Sequence, residues 1–203
     1  MSKWKILQEN ENYSFLSYFE LPFDTDEILA EFDYKFTRSR LHLPRTNRQL
    51  ERLDVLKEQL EETIPFVTLS SETAKREILI APVLTRVAVI CQQLLRIEYP
   101  LKVNNFLQGS LDYFIQSQRC VIVVEAKRDD LTRGFTQLAV ELIAVSMSKE
   151  EPEILYGVVT MGDVWVFGKL DRISQTITRD ISSYTLPDDL PEIIEILVGI
   201  LEY

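Results

Sequence analysis

Histidine is almost absent: His42 is the only one in 203 residues. Zinc sites built on paired histidines, His-Glu-x-x-His proteases and two-histidine nucleases are thereby excluded. A Ser-His-Asp triad would have to use His42, which stands between two leucines in RLHLPR. Glycine is scarce as well, with six residues and none in G-x-x-x-x-G-K or G-x-G-x-x-G. Phosphate cradles of those two kinds are missing. Cys91 and Cys120 are the only cysteines. Two thiols without metal-ligand spacing fit a reducing compartment and ordinary packing. No apolar run reaches about 18 residues, so no membrane helix is expected. The opening MSKWKILQENENY carries no apolar h-region, so a cytoplasmic location without a secretory signal is expected. If the chain does chemistry, carboxylates and lysines must carry it.

What is present suits a globular chain. Hydrophobic residues make up 46% and charged residues 27%, enough for one domain with a sizeable core. The net charge of −10 argues against a nucleic-acid partner when taken alone. The average hides an asymmetry. Lys35, Arg38, Arg40, Arg45, Arg48 and Arg52 share residues 35–52 with a single acid, Glu51. That segment reads either as a solvated surface or as a basic arm against a phosphate backbone, with Arg38, Arg40, Arg45 and Arg48 as the phosphate-contacting candidates.

Along the chain there is no repeat and no long linker. Tyr13 to Phe19 reads as a short strand or helix, Asp24 or Thr25 as the cap of a short helix, and Tyr34 to Leu43 as extended. Leu50, Leu53, Leu56 and Leu60 recur at helical spacing, and Pro65 ends that helix. A second helix starts at Ser70 or Ser71, with Ala81, Leu84, Ala88, Cys91 and Leu95 as its apolar stripe and Pro82 as a kink. NNFLQGSLDYFIQ and CVIVVEAK then read as an antiparallel pair of strands. A long helix follows, capped by Asp130 or Thr132. ILYGVVTM and VWVFGKL form a hairpin about Gly162-Asp163, residues 173–182 add an edge strand, and a last helix starts near Asp188 or Asp189. The fold class expected is α/β, a central mixed β-sheet flanked by α-helices. Residues 1–69 form an N-terminal extension packed on a core of residues 70–203.

One cluster stands out. Glu125 and Lys127 leave an apolar strand on the same face, since side chains alternate along a strand. Asp112 lies on the preceding strand, where a hairpin brings it beside Glu125. Burying these groups costs several kcal/mol unless they pair or bind an ion. A structural salt bridge through Lys127 is one solution. A hard divalent cation, Mg²⁺ or Mn²⁺, is the other, with Asp112, Glu125 and the Ala126 carbonyl as oxygen donors. Glu77 extends the Ala81-Leu84-Ala88 stripe and is expected to face the core as a third carboxylate. Gln137, with Glu141 one turn later, is placed to bond a metal water or a phosphate. Arg86, Arg133, Lys169, Trp4 and Trp165 read as ordinary surface or packing residues.

These residues resemble the PD-(D/E)XK nuclease superfamily, whose pattern is a helix with a glutamate, a strand with an aspartate, a strand with (D/E)-x-K, and a helix. Glu77, Asp112, Glu125 and Lys127 match in order, over roughly residues 70–200, and Gln137 matches a glutamine found in several branches. Leu111 stands where the name has proline, and Glu141 where the RecB-like branch has tyrosine. The resemblance implies a restriction-endonuclease-like fold and a Mg²⁺- or Mn²⁺-dependent nuclease acting on DNA, with RNA second. Asp112, Glu125 and Glu77 would hold metal, Lys127 would position water, and Gln137 would assist. It also admits a homodimer. An inactive nuclease-fold module that binds a protein or nucleic acid is the alternative.

Overall fold

The computed structural model describes residues 6–117, 120–125, 130–148 and 152–202, with residues 120–125 described in backbone alone. Two short helices come first, α1 (Phe15–Glu20) and α2 (Thr25–Ala30). Asp24 caps α2 in a reciprocal box with Glu27, satisfying two amides that the first helical turn leaves open. Strand β1 (Lys35–Ser39) precedes α3 (Leu53–Thr63), and Pro65 closes that helix in a 3₁₀ turn. Then α4 (Glu72–Lys75), a π-helical segment (Arg76–Ile80) and α5 (Ala81–Cys91) run on without interruption. Strands β2 (Leu95–Lys102), β3 (Gln108–Gln116) and β4 (Cys120–Glu125) lead to α6 (Leu131–Ser148). Strands β5 (Ile154–Thr160), β6 (Val164–Asp171), β7 (Thr176–Asp180) and β8 (Tyr184–Thr185) precede α7 (Leu190–Glu202).

The strands form one mixed sheet in the order β1-β7-β6-β5-β4-β3-β2, with β8 beside β6. Strands β1 and β7 are parallel, as are β4 and β5, and the other pairs are antiparallel. Both faces are covered. On one lie α1, α2 and α6 over Leu111, Phe114, Val159 and Val166. On the other lie α3, α5 and α7 over Tyr113, Ile115, Val158 and Phe167. Adjacent residues such as Val158 and Val159 thus enter opposite layers, which is why these strands read as continuous apolar runs.

Three expectations change. Residues 173–182 do not make the sheet edge, because β1 pairs with β7 outside it. The segment after α5 is a strand, β2, and it carries the edge on the other side. Its Pro100 has no ladder to break there, since an edge strand needs amides on one side only. Pro82 does not kink the helix in place. It sits in the first turn of α5, and the turn before it widens so that the Ala81 amide reaches the Arg76 carbonyl five residues back. Proline lacks the amide that a regular turn would use, and its ring crowds the carbonyl four residues earlier.

Among the described residues no helix is long and apolar enough to cross a membrane. Trp165 is fully buried, and its indole N–H donates to the Gly162 carbonyl at 2.9 Å, as a packing residue should.

Candidate functional site

The elements that bear the candidate residues meet at one end of the sheet. The last ladder pair between β3 and β4 is Tyr113↔Val123. Asp112 and Glu125 lie just beyond it, by one and two residues. On the other side of β4, Glu125 is in register with Thr160, the last residue of β5. The Thr160 hydroxyl is buried and accepts from the Gly162 amide at 2.9 Å in the β5–β6 turn. The start of the α4–α5 rod packs on that turn. A Cβ on Gly162 would stand 3.0 Å from Leu79 and 3.1 Å from Lys75, and the residue has φ +98°, so glycine is required twice over. The strand carrying Glu125 therefore lies between the strand of Asp112 and the turn that seats the π segment. The side chain of Glu125, Ala126 and Lys127 lie outside the described residues.

Asp112 sits at a defect in the sheet. Leu111 joins the layer under α6, whereas Tyr113 joins the layer under α5. In a regular strand these two residues would share a face. Their partners on β2 are Tyr99 and Ile97, and the register passes over Glu98 and Asp112. Glu98 has φ +50°, a left-handed backbone that costs a non-glycine residue on the order of 1 kcal/mol. Alternation reverses at this point on both strands.

Arg76, the first residue of the π segment, fills the space beside the defect. Its guanidinium pairs with Glu98 at 3.1 Å, lies 5.4 Å from the centre of the Tyr113 ring and feels the Asp112 carboxylate. Burial pulls its pKa down, but Tyr113, Glu98 and Asp112 outweigh burial and hold it above the ordinary arginine value. Two backbone irregularities, a π turn and a left-handed strand residue, thus converge on one cation next to the candidate aspartate. Arg76, Glu98 and Tyr113 were not candidates in the sequence. The only signal was Pro82, which locates the π turn.

Glu77 is not where the stripe placed it. Its side chain is exposed and lines a groove of about 530 Å³ with Arg52, Gln59, Thr85 and Arg86 from around α3 and α5. The widened turn displaces every residue before Ala81 around the helix axis, so Leu79 and Ile80 take the buried positions instead. Glu77 therefore faces away from the core, and the neighbouring Arg76 points to β3.

Gln137 is buried, and its amide nitrogen donates to Glu141 Oε1 at 3.0 Å. Glu141 is fully buried in the same layer. One of the two amide protons is thus engaged, and the Gln137 side-chain oxygen is buried with no hydrogen-bond partner among the described residues.

The basic segment divides in two. Arg45 and Arg48 pair with Glu192 and Glu202 of α7, and the Thr46 amide donates to the Glu195 carbonyl at 3.1 Å. This stretch is a strap on the last helix, and these two arginines are spent on it. Arg38 on β1 and Arg40 just after it are exposed. Arg86 donates to the Glu51 carbonyl, and Arg133 pairs with Asp130 at 3.6 Å.

Among the described residues no group of three or more His, Cys, Asp or Glu side chains could hold a metal ion. Asp112 offers hard oxygen donors of the kind Mg²⁺ and Mn²⁺ take, and Glu125 ends its strand at the same end of the sheet. No family model matches the chain, and no curated protein matches it.

Proposed function

We propose that the chain is a divalent-metal-dependent nuclease of restriction-endonuclease-like fold, related to the PD-(D/E)XK superfamily, that hydrolyses phosphodiester bonds in DNA and, second, RNA. The observation that carries this reading is the placement of Asp112. It lies at a reversal of the sheet opposite the strained Glu98, at the end where the strand of Glu125 terminates and beside the half-buried Arg76 guanidinium. Strain of this kind concentrates at functional sites, because only a surrounding structure that fixes it can keep it.

Asp112 and Glu125 would hold Mg²⁺ or Mn²⁺, and such an ion would acidify a water and offset charge at phosphorus. Lys127 would orient the attacking water, and Arg76 would meet a non-bridging phosphate oxygen. Glu77, whose side chain is exposed, is not part of this set, and Gln137 would assist.

The test is cleavage of single-stranded, double-stranded and branched DNA and of RNA with Mg²⁺ or Mn²⁺. Asp112→Asn and Lys127→Ala should each lower the rate at least 100-fold, in line with loss of a charge-stabilising group. If wild type cuts none of the substrates, the nuclease proposal fails, and an inactive binding module takes its place.

A further inference from the structure

The groove that Glu77 lines between α3 and α5 carries opposite charges at its two ends. The Arg86 guanidinium donates to the Glu51 carbonyl, so Arg86 and Arg52 share the end where α3 begins. Glu77 stands nine residues before Arg86 on the α4–α5 rod, roughly 13 Å away at about 1.5 Å per residue. It therefore falls at the Gln59 end. The walls are otherwise largely apolar, and Val55 and Val89 are 52% and 62% exposed on them. Among the described residues, the side chains of Arg52 and Glu77 have no ion-pair partner.

Each end sits on a backbone irregularity. Arg52 occupies the N-cap of α3 with φ +62°, and its side chain caps no amide. A serine, threonine, aspartate or asparagine would stabilise that position, and a left-handed arginine does the reverse. At the other end the π turn carries Glu77 out of the apolar stripe and into the groove. Turns of that kind and strained residues collect at functional positions. Here two of them frame one groove, a cation on the first and an anion on the second.

A face with one positive and one negative end is complementary to itself. A two-fold axis lying across the groove sets Arg52 of one copy against Glu77 of the other, and the same contact recurs with the copies exchanged. An axis along the groove would oppose like charges instead. A foreign helix would have to carry the matching charges in its own sequence, whereas a second copy brings them by symmetry. We infer that the α3–α5 face seats a second copy of this chain, through reciprocal Arg52–Glu77 pairs about an apolar centre. The Val55 ridge of each α3 enters the groove of the other copy, as helix ridges enter grooves. The two helices have 11 residues each, about 16 Å. That is the small end of specific interfaces, so the dimer is weak and concentration-dependent. The inference does not depend on the nuclease reading.

The experiment is sedimentation velocity of the full chain from about 1 μM to 1 mM, at low ionic strength, where exposed charges are least screened. Wild type should pass from monomer to dimer across that range. Arg52→Glu alone and Glu77→Arg alone should each weaken the dimer at least about 10-fold, since like charges then meet at both ends. An equimolar mixture of the two variants should regain wild-type association, because each supplies the charge the other lacks. Arg52→Glu places an acid at a helix start, which favours the fold, so its loss of dimer is not a loss of structure. Val55→Asp, on the exposed wall of the groove, gives the same readout by weakening the dimer if either variant does not fold. A wild type that stays monomeric throughout would overturn the proposal. So would a dimer that none of these substitutions weakens, or a mixture no tighter than the single variants.

Discussion

Arg76 is the residue on which the candidate site turns. It balances Glu98 and Asp112, and three-quarters of its side chain is withdrawn from solvent. Arg76→Met keeps the stem and removes the charge. The two carboxylates then repel across adjacent strands, and we expect a loss of about 1.5–3 kcal/mol in denaturant unfolding, the range for hydrogen bonds to charged groups. Millimolar Mg²⁺ should raise the melting temperature of Arg76→Met more than that of wild type, since the ion replaces the lost counter-charge. An equal shift in the two proteins would show that the guanidinium does not stand in for a cation.

Cys91 makes a second prediction at this scale. Burial, with Glu202 adding to it and Arg48 opposing, pushes the thiol up to about 11 from an ordinary value of 9.0. The folded state then holds this proton more tightly than the unfolded chain does. Its contribution to stability is complete below about pH 9 and is lost as pH rises towards 11. Alkylation of Cys91, followed by peptide mapping, should stay slow at pH 8 and accelerate across that same window.

At the scale of elements, the crossing of α7 by residues 45–48 depends on Gly199. A Cβ there would stand 2.6 Å from the Arg45 backbone, which cannot yield as a side chain would. Gly199→Ala inside an ordinary helix would stabilise by roughly 1 kcal/mol. Here it should destabilise by about 1–3 kcal/mol, as overpacking does. The sign of the change in urea unfolding decides the matter.

Elements also show what could be read before the coordinates. The strands around Asp112 and Glu125, the hairpin at Gly162-Asp163, the long helix after β4 and the apolar last helix were legible, because each has its own period and its own turn chemistry. Strand β2 was not. Leu95 reads as the end of the preceding helix's stripe, and Pro100 with the charges of Arg96, Glu98 and Lys102 hides a strand that only an edge position makes possible. The position of Glu77 was illegible for a different reason. One extra residue in a turn rotates what precedes it by about 100°, so a stripe counted from Leu84 backwards points to the wrong side. The pairing of β1 with β7 was out of reach altogether, since the two strands lie far apart in sequence and no local pattern encodes it.

For the molecule as a whole, the sheet is a shared wall between two apolar layers. Leu138 of α6 and Leu84 of α5 are both fully buried, one on each side. Leu138→Ala and Leu84→Ala should each cost about 2–5 kcal/mol. Because the two sites share no partner, their effects should sum within about 0.5 kcal/mol. Calorimetry of each variant should still give one transition, because neither layer closes without the strands between them. Two separate transitions would show that the layers melt independently.

The pairing of β1 with β7 also orders events in time. Thr37 and Thr178, whose hydroxyls meet at 2.9 Å, are 141 residues apart in the chain. A ribosome adding about 5–20 residues each second needs roughly 7–28 seconds to travel from one to the other. Throughout that interval the first strand waits with its hydrogen-bonding edge open, and the newborn chain must be kept from neighbours until its own distant segment arrives.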